Sequence, residues 1–485
     1  MPLKLLLVLP LLGMAALILT PGRRADWLRG VALVSTAITF AASLWLLGQY
    51  DFARGGLQLF TTQTWNPRLG SAFSLGVDGF SLPMVVLATF LSLVAVLASA
   101  SIRQRVKGYF ALLLLLESAM LGVFLARDWS LFYVFWELTL LPLFFLIDRH
   151  GGANRSKAAL NFVLYTMGGS VFMLVAMLVL YDAAPGHSFD MTAMAQGGRG
   201  LLAQAQVWIF LGFLIGFGVK MPVFPLHGWL PLAHVEAPSP VSILLSGILL
   251  KMGGYGLIRA AEALPDGVAA LQGVLAALAL ISLVYGGLLA WRQTDLKAMV
   301  AYSSVSHMGV VLLGIAALNV AGLTGAVMQM LAHGLVAGAL FLLIGLLYER
   351  THTREIGDYS SLVRVMPRFA FFTVLALVGA IGIPGTAGFV AELHVLIGGF
   401  QRWGGWVALL LLGVLISAAY AMRTIARLFT GPVRAEMQNV PDLTRAEFAA
   451  AGVLTFGIVG VGLFPAPVLA LLASSAGKLS KLFAA

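Results

Sequence analysis

Cysteine is absent from all 485 residues. Its absence excludes disulfides, thiolate ligation of iron–sulfur clusters or zinc, and covalent haem attachment, so any redox chemistry is expected in other chains and no cofactor is expected in this one. Charge is scarce as well: Asp, Glu, Lys and Arg make up 10% of the chain, against about a quarter in a soluble domain. With 60% hydrophobic residues and a mean hydropathy of +0.96, an ordinary soluble fold is excluded and an integral membrane protein remains. A nucleotide signature is missing too. Gly198-Arg199-Gly200-Leu201-Leu202-Ala203 matches G-x-G-x-x-A by letter, but no βαβ unit surrounds it, and we discard it. The formal charge of +10 resides in the connections between apolar runs, where it reports topology, not nucleic-acid binding.

What is present is a succession of apolar runs, each long enough to cross a hydrocarbon core of roughly 30 Å as a helix. Breaks rich in charge, proline or glycine divide them into about fourteen spans, near residues 3–20, 27–48, 79–101, 107–125, 129–147, 158–181, 205–225, 241–260, 267–290, 299–317, 322–348, 369–399, 404–429 and 447–472. The first run imitates a secretory signal, but it lacks a small-x-small cleavage site and leads into Pro21-Gly22-Arg23-Arg24, so it reads as the first span. Connections after odd-numbered spans carry most of the basic residues, among them Arg23, Arg24, Arg103, Arg105, Arg149, Arg155, Arg292, Lys297, Arg350 and Arg354. The even ones hold only Arg54, Arg68, Arg127, Arg199, Arg259 and Arg402, which by the positive-inside rule places both termini on the non-cytoplasmic side.

Two spans are interrupted. In the seventh, Lys220-Met221-Pro222-Val223-Phe224-Pro225 sets two prolines behind a lysine; in the twelfth, Gly382-Ile383-Pro384-Gly385-Thr386-Ala387-Gly388 precedes Glu392. Proline removes a helix hydrogen bond and glycine lets the backbone open, so both segments are predicted to be broken at membrane depth, where protein or water must satisfy the freed groups. The breaks lie five spans apart, which fits two five-helix repeats; an odd number of spans per unit inverts the second copy. The expected organisation is all-α and polytopic. Residues 1–106 hold spans 1–3, residues 107–260 the first repeat (spans 4–8), residues 261–430 the second (spans 9–13) and residues 431–485 the last span.

Among the ionisable side chains inside these spans six stand out: Glu117, Glu137, Lys220, Lys251, His333 and Glu392. A charge at the centre of a membrane helix costs roughly 2.5–3.5 kcal/mol on insertion scales, so six of them, with both signs represented, read as a route for charge. A carboxylate at Glu137 and an ammonium at Lys220 about 4 Å apart would attract by roughly 4 kcal/mol at an effective dielectric of 20, and doubling the separation would halve that. The pair therefore works as a switch on a proton held at Lys220, with a static ion pair as the alternative. Lys251, flanked by Gly253, Gly254 and Gly256, is a candidate relay on the next span, where small residues permit close helix approach. Glu392 would be the terminal group toward the far side. Glu117 is expected opposite Glu137, where two carboxylates would repel, or else in a packing contact or a contact to a neighbouring subunit. His333, mid-span between the lysine and the glutamate, suits a proton shuttle, and equally a hydrogen-bonded core histidine. His227 and His234 flank the seventh break, where water organisation or helix packing competes with metal ligation; without a third ligand at a recognisable spacing no metal is expected. His307 belongs to the same open class.

At these residues the chain resembles the antiporter-like membrane subunits of respiratory complex I. The resemblance runs over nearly the whole length and is most specific in Phe135-Trp136-Glu137-Leu138, in Val219-Lys220-Met221-Pro222-Val223-Phe224-Pro225-Leu226-His227, in Gly247 to Gly256 around Lys251, in Ala301 to Gly309, and from His333 to Arg350. It implies a two-repeat fold, a water-linked chain of charges at mid-membrane, and one proton-pumping module of a bacterial inner-membrane complex beside antiporter-like sisters. NADH and quinone would be handled only by partner subunits. Residue by residue it implies Glu137 as modulator, Lys220 as the pumping lysine, Lys251 as the link between half-channels and Glu392 as the exit group. Sister subunits resemble one another in having lysine at that last position, so Glu392, together with the lack of a long amphipathic helix after the fourteenth span, favours the M-type branch. Leu232 and Pro240 depart from the family pattern near His234. A multisubunit sodium/proton antiporter, a ferredoxin- or hydrogenase-linked relative, and a scaffold without transport remain open at this point.

Overall fold

A computed structural model describes residues 2–21 and 24–483. Gly22 and Arg23, part of the basic connection assigned after the first span, lie outside the described residues. Among the described residues thirteen stretches are long and apolar enough to cross a membrane. One of them, Ala387–Phe429, turns back at Gly404 (φ +61), so that Gly399 packs on Val407; its first half continues the shorter helix Pro367–Ile381 as one interrupted span. Fourteen crossings result. Spans 1–6 are Pro2–Leu19, Ala25–Gln49, Ser81–Ser101, Val106–Leu125, Trp129–His150 and Arg155–Ala183. Span 7 begins with Ala203–Lys220, and spans 8–11 are Ser239–Ala263, Gln272–Arg292, Leu296–Ala316 and Val320–Thr351. Span 12 comprises Pro367–Ile381 and Ala387–Trp403, span 13 is Leu410–Phe429 and span 14 is Arg445–Leu463.

Burial sorts the spans into layers. Spans 8, 10 and 11 are buried almost throughout and form the centre of the bundle, whereas spans 1, 2, 6, 9 and 14 keep one face outward, as a lipid-facing layer must. Without a hydrophobic drive between helices in lipid, close packing has to hold them, and glycine supplies it. Gly253 of span 8 lies so near the Phe217 carbonyl oxygen that an added Cβ would stand 2.6 Å from it, and Gly256 rests on the Phe217 ring. Polar residues set the helix starts: Asp128, Asp295 and Asn319 each accept a backbone N–H of the first turn, and Thr444 with Glu447 forms a capping box.

Three features depart from the expectations. The stretch between spans 2 and 3 carries two short antiparallel ladders, Gln58–Thr61 with Leu75–Val77 and Thr64–Asn66 with Ser71–Ala72. The fourteenth span does not run to residue 472: it stops at Leu463, before Phe464-Pro465, and the chain restarts as Ala466–Ser480, because proline cannot continue the hydrogen-bonding of the preceding helix. Pro265–Ala270 likewise stands apart from Gln272–Arg292, so the ninth apolar run, 267–290 in the sequence, is divided between two helices. The two chain ends share one face of the bundle. Lys4 donates to Gln63 Oε1 in the ladder region, and Leu482 and Phe483 line a cavity with Pro265, Leu318 and Arg402.

Candidate functional site

The two breaks occur where the prolines and glycines stand, and each is locally satisfied. Span 7 stops at Lys220; the Trp229 indole donates to the freed Val219 carbonyl (2.8 Å), and the Phe224 amide donates to Ser282 Oγ of span 9 (2.9 Å). In span 12, Gly382 takes φ +77 to end one half-helix, and the chain resumes at Ala387. Glycine is required at 382 for a second reason: a Cβ there would lie 2.5 Å from Glu392 Oε2. The break is thus also the seat of the carboxylate.

At the centre, span 8 contains a π-helical turn, Leu245–Leu249, immediately before Lys251. Such a turn leaves main-chain carbonyls without their usual partners. Lys251 Nζ donates to the Ser246 carbonyl (2.5 Å) and lies 2.6 Å from His333 Nδ1 of span 11. His333 Nε2 is 3.1 Å from Ser304 Oγ of span 10, which is 3.0 Å from Ser246 Oγ. Beyond His333 the chain continues: the His307 ring lies 5.3 Å away, its Nδ1 bonded to Gln329 Nε2 (3.2 Å). His307, Gln329, His333 and Glu392 line one narrow cavity of about 10 Å³, close to the space one water needs. His307 Nε2 and Gln329 Oε1 are buried with no hydrogen-bond partner. The structure therefore brings Lys251, His333 and Glu392 into one polar file, joined by Ser304, Ser246, Gln329 and His307.

Lys220 and Glu137 are arranged otherwise than as a contact pair. Among the described residues no carboxylate lies within 4.0 Å of Lys220 Nζ. Its ammonium donates to Thr139 Oγ1 (3.1 Å) and lies 5.1 Å from the centre of the Trp136 ring and 5.7 Å from that of Phe162, so hydroxyl and aromatic faces replace the expected anion. Thr139 lies mid-way along span 5, with helical dihedrals (φ −66, ψ −25). Glu137 is only partly buried, and its Oε1 has no partner. Glu117 is fully buried in span 4, and among the described residues neither of its carboxylate oxygens has a hydrogen-bond partner. His234, fully buried, stacks on Phe341 with both ring nitrogens unpartnered; His227 packs between Phe224 and Tyr285. The departure at Pro240 falls in the first turn of Ser239–Leu244, where a missing N–H costs nothing.

Several charges read from the sequence as loop topology are structural. Lys297 is buried and donates to the Ala237 carbonyl (2.8 Å). Arg259 pairs with Asp78 and, at 3.2 Å, with Glu262, while Arg127 lies 3.8 Å from Asp78. Thr139, Ser246, Ser304 and Gln329 carry no charge, so nothing in the sequence marked them as members of the file, although Ser304 lies within the segment Ala301 to Gly309 that carries the resemblance. Among the described residues no group of three or more His, Asp and Glu could hold a metal ion.

Residues 126–417 match the family described as NADH:quinone oxidoreductase/Mrp antiporter, TM. NADH-quinone oxidoreductase subunit M of Rhodobacter capsulatus is 41% identical over 94% of this chain and 90% of its own length. NAD(P)H-quinone oxidoreductase chain 4 2 of Thermosynechococcus vestitus is 40% identical over 96% and 89%. Among solved structures, a chain of respiratory complex I from Thermus thermophilus superposes with a TM-score of 0.89 at 33% identity, covering 99% of this chain and 100% of that one. A chain of the Mrp complex from Dietzia reaches 0.85 over 99% and 98%, at 22% identity, and so shares the fold. The chain belongs to the NADH:quinone oxidoreductase/Mrp antiporter membrane-subunit family, and within it to the group of NADH-quinone oxidoreductase subunit M.

Proposed function

We propose that this chain is a proton-translocating membrane-arm subunit of an NADH-quinone oxidoreductase in a bacterial inner membrane, holding no redox centre and driven from a distance by quinone reduction in partner subunits. Antiporter-like sisters would flank it, and both termini would face the non-cytoplasmic side. The observation that carries the reading is the file Lys251–His333–Glu392, which begins in the almost wholly buried spans 8 and 11 and ends beside the break in span 12. A scaffold has no use for an amine, an imidazole and a carboxyl so aligned, because each is expensive in that setting.

In this reading residues 107–260 and 261–430 are two inverted five-helix units, one on each of the interrupted spans. Lys220 loads the proton in the first. Glu137 modulates it by approaching or withdrawing; a separation beyond 4 Å leaves less than roughly 4 kcal/mol of attraction at an effective dielectric of 20, so closing the gap changes the hold on the proton. Lys251 passes a proton to His333 Nδ1, and the imidazole releases one from Nε2, since its two nitrogens serve as separate acceptor and donor. One water in the cavity then reaches Glu392, the exit group. The orphaned polar atoms of Glu117, His234 and His227 mark further points where water or a neighbouring subunit completes the network.

Complexes carrying Glu137→Ala or Lys220→Ala, reconstituted into liposomes, are expected to pump fewer protons per electron than wild type. Wild-type ratios in both overturn the assignment. Sodium-dependent transport without quinone would instead favour the antiporter reading that the shared fold also allows.

A further inference from the structure

The few basic residues on the face opposite the positive connections are not scattered. Of the six read from the even connections, Arg127, Arg199 and Arg259 line a single cavity of about 290 Å³, joined there by Lys478 of the last helix; Asp78 and Glu262 are its acids. The cavity sits where span 3 begins and spans 4 and 8 end, beside helix Ala466–Ser480, whose Ser475 Oγ accepts from the Gly79 amide just before span 3 (3.0 Å). Four cations against two carboxylates leave an excess of two positive charges. The acids are already engaged: Asp78 pairs with Arg259 and Arg127, and Glu262 with Arg259. Among the described residues no carboxylate lies within 4.0 Å of Arg199 or Lys478. Among the described residues the Arg199 side chain donates only to the Glu262 carbonyl oxygen, and Lys478 Nζ occupies the space that Gly56, lacking a side chain, leaves free. Arg127 Nη1 and Arg259 Nε, in side chains more than nine-tenths buried, have no hydrogen-bond partner.

Arg127 and Arg259 are buried with donors unspent, which is costly, while Arg199 and Lys478 stand at the exposed side of the cavity; a polar recess with such guanidinium donors is what an oxyanion needs. We propose that this cavity binds a phosphate-bearing anion, either the headgroup of an anionic phospholipid or free phosphate, held by the Arg127 and Arg259 guanidiniums and by the charges of Arg199 and Lys478. A phosphate takes bidentate contacts from arginine and can neutralise the excess charge at once. A volume near the lower end of the range for small-ligand pockets, roughly 300 Å³, suits a headgroup and not a whole lipid. Bound there, the anion would tie the last helix to the ends of spans 4 and 8.

The test uses the full chain in its native assembly, exchanged into detergent until lipid-free. Native mass spectrometry then follows retention of phosphatidylglycerol or phosphatidylcholine from nanodiscs, and of inorganic phosphate in a parallel titration. Phosphatidylglycerol retained in preference to phosphatidylcholine identifies a headgroup; saturable inorganic phosphate alone identifies the free anion. The double variant Arg199→Gln/Lys478→Gln is expected to bind about a hundredfold more weakly, two charge-assisted contacts at about tenfold each. Arg199→Lys/Lys478→Arg should retain binding. Neither anion on the wild type, equal binding by the neutralised variant, or occupation of the cavity by an acidic side chain of a neighbouring subunit overturns the proposal.

Discussion

Replacing His333 by leucine removes the one group that touches both Lys251 and the cavity leading to Glu392, at nearly constant apolar volume. In the wild type Lys251 Nζ stands 2.6 Å from Nδ1, and Nε2 stands 3.1 Å from Ser304 Oγ. Both lie within the reach of about 2.6–3.2 Å over which a proton passes between heavy atoms, and leucine leaves no polar atom on that path. Lys251 keeps its bond to the Ser246 carbonyl, so the amine remains anchored while its outlet is lost. A positioned acid–base group accounts for about 10²–10⁴-fold in rate, so transfer toward Glu392 should slow by at least about a hundredfold. The assay is quinone reduction together with lumenal acidification in proteoliposomes, with and without an uncoupler. Assembly of the complex should be unchanged, whereas the proton-to-electron ratio should fall. His333→Gln, which can still accept from Lys251, should assemble equally well but pump no better, because an amide does not relay protons. A leucine variant with the wild-type ratio and rate would refute the relay.

Asp78 offers a stability test. Its Oδ1 caps span 3 through the Phe80 and Ser81 amides (both 3.0 Å) while Oδ2 meets Arg259 and Arg127. Asn retains capping, so Asp78→Asn isolates the charge: breaking a buried pair costs about 3–5 kcal/mol, and Asp78→Ala should lose about a further 1 kcal/mol. Chemical denaturation in detergent would measure both, and a wild-type midpoint for Asp78→Asn would rule out the charge contribution. Burial alone would raise the Asp78 carboxyl, but the guanidiniums of Arg259 and Arg127 outweigh it and hold the group below the ordinary carboxylate range. The stabilisation it provides is therefore present above the unfolded carboxylate value of about 4 and lost as pH falls through the lowered value; a wild-type chain whose excess stability over Asp78→Asn fell as pH rose toward neutral would contradict this. Gly382→Ala combines a positive φ with a Cβ 2.5 Å from Glu392 Oε2, whereas Gly404→Ala has a positive φ and open space. Both should lose about 1–3 kcal/mol from the backbone, but only Gly382→Ala should also depress pumping; equal pumping by the two would separate Glu392 from the break.

Composition and periodicity were enough to find the spans, because a hydrocarbon core of roughly 30 Å demands a long apolar helix whatever its neighbours are. The two breaks were legible for the same reason: proline and glycine act on their own backbone, so Pro222, Pro225, Gly382 and Pro384 announce where helices end. The buried charges were legible because each is costly in isolation. Which of them meet depends on rotation and depth of separate helices, and that only the tertiary structure decided. It set Lys220 on Thr139 and two aromatic rings in place of Glu137, and joined Lys251 to His333 across 82 residues. It also gathered Arg127, Arg199, Arg259 and Lys478, which the sequence presents as isolated loop charges, around one cavity. Local backbone chemistry is written residue by residue, whereas an electrostatic network belongs to the packing of helices that the chain brings together from far apart.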